Sequence, residues 1–291
     1  MRRILVAGCG YLGTAVAKRF VEAGWDVAGW KLRKLEEEVS QNGIRVEAVD
    51  LSDSESVCRN SFDAEVVVHC AGAANRNAGS YRRVYQTGLA NLAASFPQAR
   101  LIFTSSTSVY AQSDREWVNE ESPAEPSTET GRILRSAEEI VLSRGGIVLR
   151  VAGIYGPGRS FLLRSVVEGT AKAPDSDRIT NQVHRDDIST AIFFLAGEKA
   201  IMPPRIFNVV DDLPVPRSEI LKWLSQQLTI PLADSNRATP RRKRGDSNKR
   251  VSNAKLRALG WAPIYPSYIE GFRRSIFPSS NLHFADVRGE S

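Results

Sequence analysis

The chain has 291 residues and a net charge of +6, and its 42% hydrophobic and 25% charged residues are typical of a globular protein. This length suits one large α/β domain or one domain with a smaller lobe. Three cysteines without a C-x-x-C pair and three scattered histidines argue against a disulfide framework and a metal site. Because no apolar run is long enough for a leader or a membrane span, we expect a cytoplasmic protein without a membrane partner.

A strand, a tight turn and a helix are predicted at the start of the chain. The first strand ends at Gly8, and Gly8, Gly10 and Gly13 have G-x-G-x-x-G spacing before a helical pattern over residues 14–23. Gly8 allows the turn, Gly10 lets a pyrophosphate approach the backbone, and Gly13 lets helix and strand pack closely. The helix N-terminus then faces the anion. A glycine turn in any βα unit is the alternative interpretation.

Strands and helices alternate over the first half of the chain. Strands are predicted at residues 25–30, 44–49, 64–70, 101–103 and 146–151, and helices at 81–96 and 130–144. This alternation predicts an α/β fold, with a doubly wound parallel sheet of the Rossmann type that binds ligands at the carboxyl ends of its strands.

Past Gly153, prolines and polar turns multiply, which predicts a smaller C-terminal lobe. Within it, a strand is predicted at 206–210 and helices at 186–196, 218–228 and 251–261. We divide the chain into a dinucleotide-binding domain (1–155, to which 183–210 returns), a substrate lobe (156–182 and 211–277) and a flexible tail (278–291).

Part of the positive charge is concentrated in residues 237–250. This stretch has no interleaved aromatic residues and no nucleic-acid-binding pattern, so no nucleic-acid partner is expected. A solvated loop and a contact to a phosphorylated small substrate are the two interpretations left open.

Several blocks of the sequence together resemble the extended short-chain dehydrogenase/reductase superfamily, in an atypical form, and within it the NAD-dependent epimerase/dehydratase family. The resemblance extends from Arg3 to about Phe272. Besides the glycine motif, the matching blocks are Asp50-Leu51, Ala71-Gly72-Ala73, residues 105–110 (S-S-T-S-V-Y), residues 149–158 (L-R-V-A-G-I-Y-G-P-G), residues 183–188 (V-H-R-D-D-I) and residues 207–210 (F-N-V-V).

The resemblance implies a set of site residues. The cofactor-binding residues would be Gly8, Gly10, Tyr11, Leu12 and Gly13 at the pyrophosphate, Asp50 and Leu51 at the adenine, and Ala71, Gly72 and Ala73 along the dinucleotide. Ser106 would take the place of the catalytic Ser/Thr, with Ser108 as a second hydroxyl beside it. No metal is implied.

The sequence departs from the family at its Tyr-x-x-x-Lys pair. Alignment on Pro126 and Glu138 puts Thr130 at the tyrosine position and Leu134 at the lysine position. Since a threonine hydroxyl ionises too weakly to act as a general base, another group would have to transfer the proton. Tyr155 is the first candidate, because it follows the sixth strand. Arg159, close behind it, is a candidate for binding a substrate phosphate or carboxylate.

The end of the second strand indicates which cofactor is preferred. NAD-specific sites place a carboxylate there for the ribose hydroxyls, whereas this chain has Lys31 and Arg33. These cations can pair with a 2′-phosphate, so NADP is favoured over NAD. The alternative is a pair of surface cations opening a charged helix that includes residues 36–38.

The sequence therefore supports two hypotheses about function. The first is an NAD(P)-dependent oxidoreductase or epimerase acting on a small polar substrate, which the resemblance suggests is a nucleotide sugar. The second is a catalytically weak NAD(P)-binding or redox-sensing module, which the absent pair favours. For the oligomeric state, a homodimer is the hypothesis that we leave open.

Overall fold

The computed structural model describes residues 1–33, 43–75, 77–171, 177–197, 205–233 and 247–280. Its strands are β1 (Arg3–Ala7), β2 (Asp26–Lys31), β3 (Ile44–Ala48), β4 (Val66–His69), β5 (Arg100–Ser106), β6 (Trp117–Val118), β7 (Ile147–Val151), β8 (Gly153–Tyr155), β9 (Ile179–Thr180), β10 (Gln182–His184), β11 (Ile206–Val209), β12 (Val215–Pro216) and β13 (Arg250–Val251).

The helices alternate with these strands. They are α1 (Tyr11–Glu22), α2 (Ser54–Arg59), α3 (Ala78–Tyr81), α4 (Gly88–Ser95), α5 (Glu129–Leu142), α6 (Phe161–Val167), α7 (Arg185–Gly197), α8 (Arg217–Leu228), α9 (Ala254–Ala258) and α10 (Tyr268–Gly271). A π-helical segment, Arg82–Thr87, joins α3 to α4, so the helix predicted at 81–96 begins three residues earlier and is not uniformly α-helical.

Seven strands form one parallel sheet in the order β11-β7-β5-β4-β1-β2-β3. The order runs outward in both directions from β1, which is the doubly wound Rossmann arrangement that the alternating pattern predicts. The carboxyl ends of β1, β4 and β5 are adjacent at one edge of this sheet, because β4 pairs with both of the other strands. The predicted fold class is therefore confirmed.

Burial explains why these segments are strands. Every residue of β4 and of β7 is buried, as expected for parallel strands that are covered by helices on both faces. On one face, α1 packs beside α7, where the rings of Phe20 and Phe193 lie 5.1 Å apart. β7 nevertheless contains the buried charge of Arg150, which requires a partner inside the protein.

A second, smaller core lies beside the sheet and contains residues from α6, α8 and α10. Its buried members include Leu163, Val166, Ile220, Leu221, Leu224, Tyr268 and Phe272. The chain returns to the large sheet at β11, and Val251, Leu256 and Trp261 also pack in the large core although they fall within the predicted lobe range.

The start of α7 is held by side-chain contacts of Asp187 and His184. The carboxylate of Asp187 accepts the N–H groups of Ile264 (2.5 Å) and Tyr265 (3.3 Å), so it fastens a distant loop instead of capping the helix. The imidazole of His184 accepts the N–H of Asp186 at Nδ1 (3.2 Å), and burial lowers the pKa of this histidine to about 4. His184 therefore helps to hold the start of α7 in place.

The positively charged stretch is only partly described, since residues 237–246 lie outside the described ranges. Its last two residues both make side-chain contacts to distant carbonyls. Lys249 is buried and donates from Nζ to the carbonyl of Tyr110 (2.8 Å), and the guanidinium of Arg250 donates to the carbonyl of Arg115. No helix among the described residues is both long and apolar enough to cross a membrane.

Candidate functional site

The chain turns sharply at the end of β1. Gly8 has a φ of +99°, and a Cβ at this position would lie 2.2 Å from the backbone nitrogen of Ala71. A Cβ at Gly13 would lie 2.2 Å from the carbonyl oxygen of Gly8. Both positions therefore require glycine, one for the turn and one for the close approach of helix to strand.

Gly10 leaves an open cradle at the start of α1. It is the N-cap residue, and among the described residues no side chain caps the helix and no atom lies within 4 Å of a Cβ on Gly10. The backbone N–H groups of the first turn, which begins with Tyr11 and Leu12, lie at the positive end of the helix dipole. A pyrophosphate fits this cradle, because it needs N–H donors and close access to the backbone.

The end of β2 lies against the glycine turn. The carbonyl of Trp30 accepts the N–H groups of both Gly8 (2.9 Å) and Cys9 (2.8 Å). Lys31 is the last residue of the strand and Arg33 is exposed two residues later. The two predicted 2′-phosphate ligands thus extend from the same edge as the cradle. Residues 36–38, which belong to the alternative charged helix, lie outside the described ranges.

Asp50 follows β3 beside this strand end, since the N–H of Val49 donates to the carbonyl of Lys31 (2.8 Å). Its carboxylate accepts the N–H (2.9 Å) and the hydroxyl (2.7 Å) of Ser52 and a guanidinium N–H of Arg83 (3.2 Å). Burial raises the pKa of Asp50, but these hydrogen bonds and the charge of Arg83 outweigh it and hold the pKa below its usual value. The neighbouring Leu51 is buried.

The segment after β4 forms the next part of the edge. Ala71 packs against the glycine turn, Gly72 is exposed with no atom within 4 Å of an added Cβ, and the N–H of Ala73 donates to the hydroxyl of Tyr85 (3.4 Å). The three predicted cofactor-lining residues therefore line the open edge next to Gly8.

Ser106 and Ser108 stand at the end of β5, on the far side of β4 from the glycine turn. Ser106 is half-buried, and its Oγ accepts the N–H of Ser108 (3.1 Å). Ser108 is exposed in a short 3-10 turn. The structure thus brings both hydroxyls to the same edge as the cradle, where a substrate carbonyl or hydroxyl could reach them.

A buried ion pair, which the sequence motifs do not indicate, anchors the serine segment (residues 105–110). Arg150 donates from Nε (3.1 Å) and from a terminal nitrogen (2.7 Å) to the carboxylate of Glu138, and the two side chains are 2% and 0% exposed. On one side of the segment, Ser105 donates its hydroxyl to Glu138 (2.7 Å). On the other, the hydroxyl of Tyr110 accepts an N–H of Arg150 (2.9 Å) and donates to Asn208 (2.9 Å). The signal in the sequence was an arginine inside the apolar run of β7.

The two residues that the resemblance puts at the tyrosine and lysine positions, Thr130 and Leu134, lie on α5. The hydroxyl of Thr130 has only a long contact to the hydroxyl of Thr128 (3.5 Å). Leu134 is 5% exposed and belongs to the large core. Arg135, one residue later, pairs with Glu139 and lies 3.7 Å from Glu138, so it is already engaged. None of these side chains can act as a phenol–ammonium pair.

The structure does not place Tyr155 at the open edge. Its side chain is 4% exposed and stacks on Phe272, and its hydroxyl donates to the carbonyl of Ser267 (3.3 Å). Burial raises the pKa of this phenol well above its usual value, and the charges of Asp211 and Asp187 raise it further. This placement favours a packing role for Tyr155 over proton transfer.

We expect Tyr155→Phe to lower the free energy of unfolding by about 1–2 kcal/mol, because it leaves the Ser267 carbonyl without its buried donor. Its affinity for a dinucleotide should be unchanged. Urea unfolding and calorimetric titration measure the two effects. If Tyr155→Phe instead loses NADPH affinity at unchanged stability, Tyr155 belongs to the functional site.

Arg159 lies close to Tyr11, the residue that follows Gly10. It is exposed, and its guanidinium carbon lies 5.3 Å from the centre of the Tyr11 ring. The structure therefore brings the predicted substrate-binding residue beside the first residue of α1.

The comparisons with known proteins agree with this arrangement. The model of the NAD-dependent epimerase/dehydratase family matches residues 4–209. Protein YeeZ of Escherichia coli K12 is 31% identical over 215 residues, which cover 67% of this chain and 73% of that protein.

Two further matches carry activities in their names. The 3-diazoavenalumate denitrifying reductase of a Streptomyces species is 29% identical over 168 residues, about half of each chain (50% and 52%). The structure of a UDP-glucose 4-epimerase from Thermus thermophilus in complex with NAD matches with a TM-score of 0.79 at 23% identity, covering 93% of this chain and 96% of that one.

Proposed function

Because this chain belongs to the NAD-dependent epimerase/dehydratase family, we propose that it binds a nicotinamide dinucleotide along the carboxyl edge of the large sheet and transfers hydride to or from a small polar substrate. The observation that carries the proposal is the empty space over Gly10, at the uncapped start of α1, on the same edge as Ser106 and Ser108.

The predicted cofactor-binding residues and the two serines each have a role in this proposal. Gly8, Gly10, Tyr11, Leu12 and Gly13 hold the pyrophosphate; Asp50 and Leu51 flank the adenine; Ala71, Gly72 and Ala73 line the dinucleotide. The dinucleotide, when bound, supplies or accepts the hydride. The hydroxyls of Ser106 and Ser108 hydrogen-bond the reacting oxygen of the substrate, and the Glu138–Arg150 pair keeps their segment in place.

For the substrate, we propose a nucleotide sugar. The support is the similarity in fold to a UDP-glucose 4-epimerase, together with the hydroxyls of Ser106 and Ser108 at the same edge, where a sugar hydroxyl or carbonyl could reach them. The test is single-turnover change in nicotinamide absorbance when the NADP(H)- or NAD(H)-loaded protein is mixed with UDP-sugars. No spectral change and no product with any sugar nucleotide or small carbonyl compound would reject catalysis.

We propose a preference for NADP, which rests on Lys31 and Arg33 at the end of β2. Replacing both by Ala should weaken NADP binding by about 1–3 kcal/mol more than NAD binding, because two charge-assisted contacts to the 2′-phosphate are lost. Calorimetric titrations with both dinucleotides measure the difference. The exposed Lys18 on α1 provides a control, as Lys18→Ala should change neither affinity. Equal losses for the two dinucleotides in the double variant would contradict the preference.

A catalytically weak binding or redox-sensing module is the second candidate, and Thr130 and Leu134 favour it. If the protein lacks only an acid/base pair, Thr130→Tyr combined with Leu134→Lys should raise its slow rate of hydride transfer. General acid/base catalysis contributes about 10²- to 10⁴-fold to a rate. Some stability should be lost, because Leu134 is buried in the large core. Rapid turnover by the native protein would reject this second candidate.

A further inference from the structure

Two arginines converge on the ring of Tyr11, the first residue of α1. The guanidinium carbon of Arg185 lies 4.9 Å from the ring centre, and that of Arg159 lies 5.3 Å from it. Both distances are within the range of cation–π attraction. The arginines come from separate elements, since Arg159 follows β8 and Arg185 begins α7. Tyr11 directly follows Gly10, so both cations stand at the entrance of the cradle.

The turn that carries Arg159 is fixed to α1. The hydroxyl of Tyr11 donates to the carbonyl of Pro157 (3.1 Å). The backbones of Gly156 and Arg159 exchange two hydrogen bonds (3.1 and 2.9 Å), which close the turn. A Cβ on Gly156 would lie 2.7 Å from the Tyr11 hydroxyl, so the turn approaches as closely as glycine permits.

Arg185 is held in place by the packing of α7 on α1. Arg19 donates from Nε to the hydroxyl of Ser189 (3.1 Å), and the rings of Phe20 and Phe193 are in contact. A cation at the start of α7 therefore keeps a constant position relative to the glycine turn, as a site built on helices requires.

The charges around Tyr11 do not cancel. Arg185 donates from Nε to Asp186 (2.9 Å), which offsets one positive charge. Among the described residues, no carboxylate is within ion-pair distance of Arg159, and His184 nearby is neutral at pH 7 because burial lowers its pKa to about 4. A net positive charge therefore faces the open edge beside the N–H groups of α1.

We propose that Arg159 and Arg185, positioned by Tyr11, form a clamp that binds the pyrophosphate of the dinucleotide from the side opposite Gly10. This proposal rests on the proposed function. A guanidinium can pair with phosphate oxygens through two parallel N–H donors, and the backbone of the glycine turn leaves one side of the pyrophosphate free for it. The clamp would connect the smaller lobe to the cofactor. A phosphate on the substrate could pair with the same two guanidinium groups. The experiment must therefore distinguish the cofactor pyrophosphate from a substrate phosphate.

The experiment titrates NADPH and ADP-ribose into the full-length protein and into Arg159→Ala, Arg185→Ala and Arg185→Lys. Each alanine variant should bind both ligands about 10- to 100-fold more weakly, and the lysine variant should fall in between because it retains charge without the planar fork. Arg164→Ala, an exposed arginine on α6, should bind like the native protein. Circular dichroism verifies that every variant is folded.

A second arm titrates UDP into the protein saturated with NADPH. If the alanine variants lose UDP affinity but retain NADPH and ADP-ribose affinity, the arginines hold a substrate phosphate and the proposed clamp is wrong. Unchanged affinity of the alanine variants for all three ligands would also overturn the clamp. The proposed dinucleotide site would still be supported in that case if Gly10→Val abolishes NADPH binding. If the native protein binds no dinucleotide, the proposed function and the clamp both fail.

Discussion

Gly10→Val is expected to weaken NADPH binding by at least about 100-fold, equivalent to roughly 2.7 kcal/mol, while the protein remains folded. The branched side chain would fill the space that the pyrophosphate needs at the start of α1. The fold should tolerate it, because a Cβ at Gly10 meets no atom within 4 Å. Calorimetric titration of both proteins measures the loss.

Gly197→Val is the matched control for this substitution. Gly197 is exposed at the end of α7, and an added Cβ there also meets no atom within 4 Å in the described part of the chain. The control should bind NADPH as the native protein does. If a folded Gly10→Val protein binds NADPH with native affinity, the glycine turn is not part of the cofactor site.

Glu138→Gln is expected to lower the free energy of unfolding by about 3–5 kcal/mol, because the buried charge of Arg150 loses its compensating charge. Both side chains are almost inaccessible to solvent, so water cannot replace the lost partner. Urea unfolding followed by circular dichroism measures the change. The Ser105 hydroxyl, which donates to the Glu138 carboxylate, would also have a weaker acceptor. The rate of amide hydrogen exchange should therefore rise in residues 105–110.

The adjacent Glu139 supplies the control for the buried pair. It is 61% exposed and pairs with Arg135 on the surface of α5. Glu139→Gln should therefore change stability by no more than about 0.5 kcal/mol. Equal, small effects of the two substitutions would mean that the Glu138–Arg150 pair does not hold the serine segment.

The sheet and the glycine turn could be predicted from the sequence because their signals are local. Apolar runs of strand length alternate with helical patterns, Gly8 is required by its own positive φ, and Gly13 is required by its contact with the nearby Gly8 carbonyl. The same locality places Ser106 at the open edge, since it ends a strand next to β4.

Side-chain partners that are distant in sequence could not be predicted in this way. Tyr155 follows a strand of the large sheet, but the chain continues into β8, which pairs with β10 and buries the phenol in the smaller lobe. Lys249 belongs to a stretch that resembles a solvated loop, yet it reaches the carbonyl of Tyr110. The meeting of Arg185 with Tyr11 likewise depends on how α7 packs against α1.

The most direct test of the central claim is a titration of the native protein with NADPH, followed by energy transfer from tryptophan to the nicotinamide. Trp30 lies beside the glycine turn, so NADPH bound at the carboxyl edge of the sheet should accept its excitation. We predict transfer that saturates, that ADP-ribose reverses, and that needs less NADPH than NADH. Nicotinamide emission that rises linearly with added NADPH and is unaffected by ADP-ribose would contradict the account.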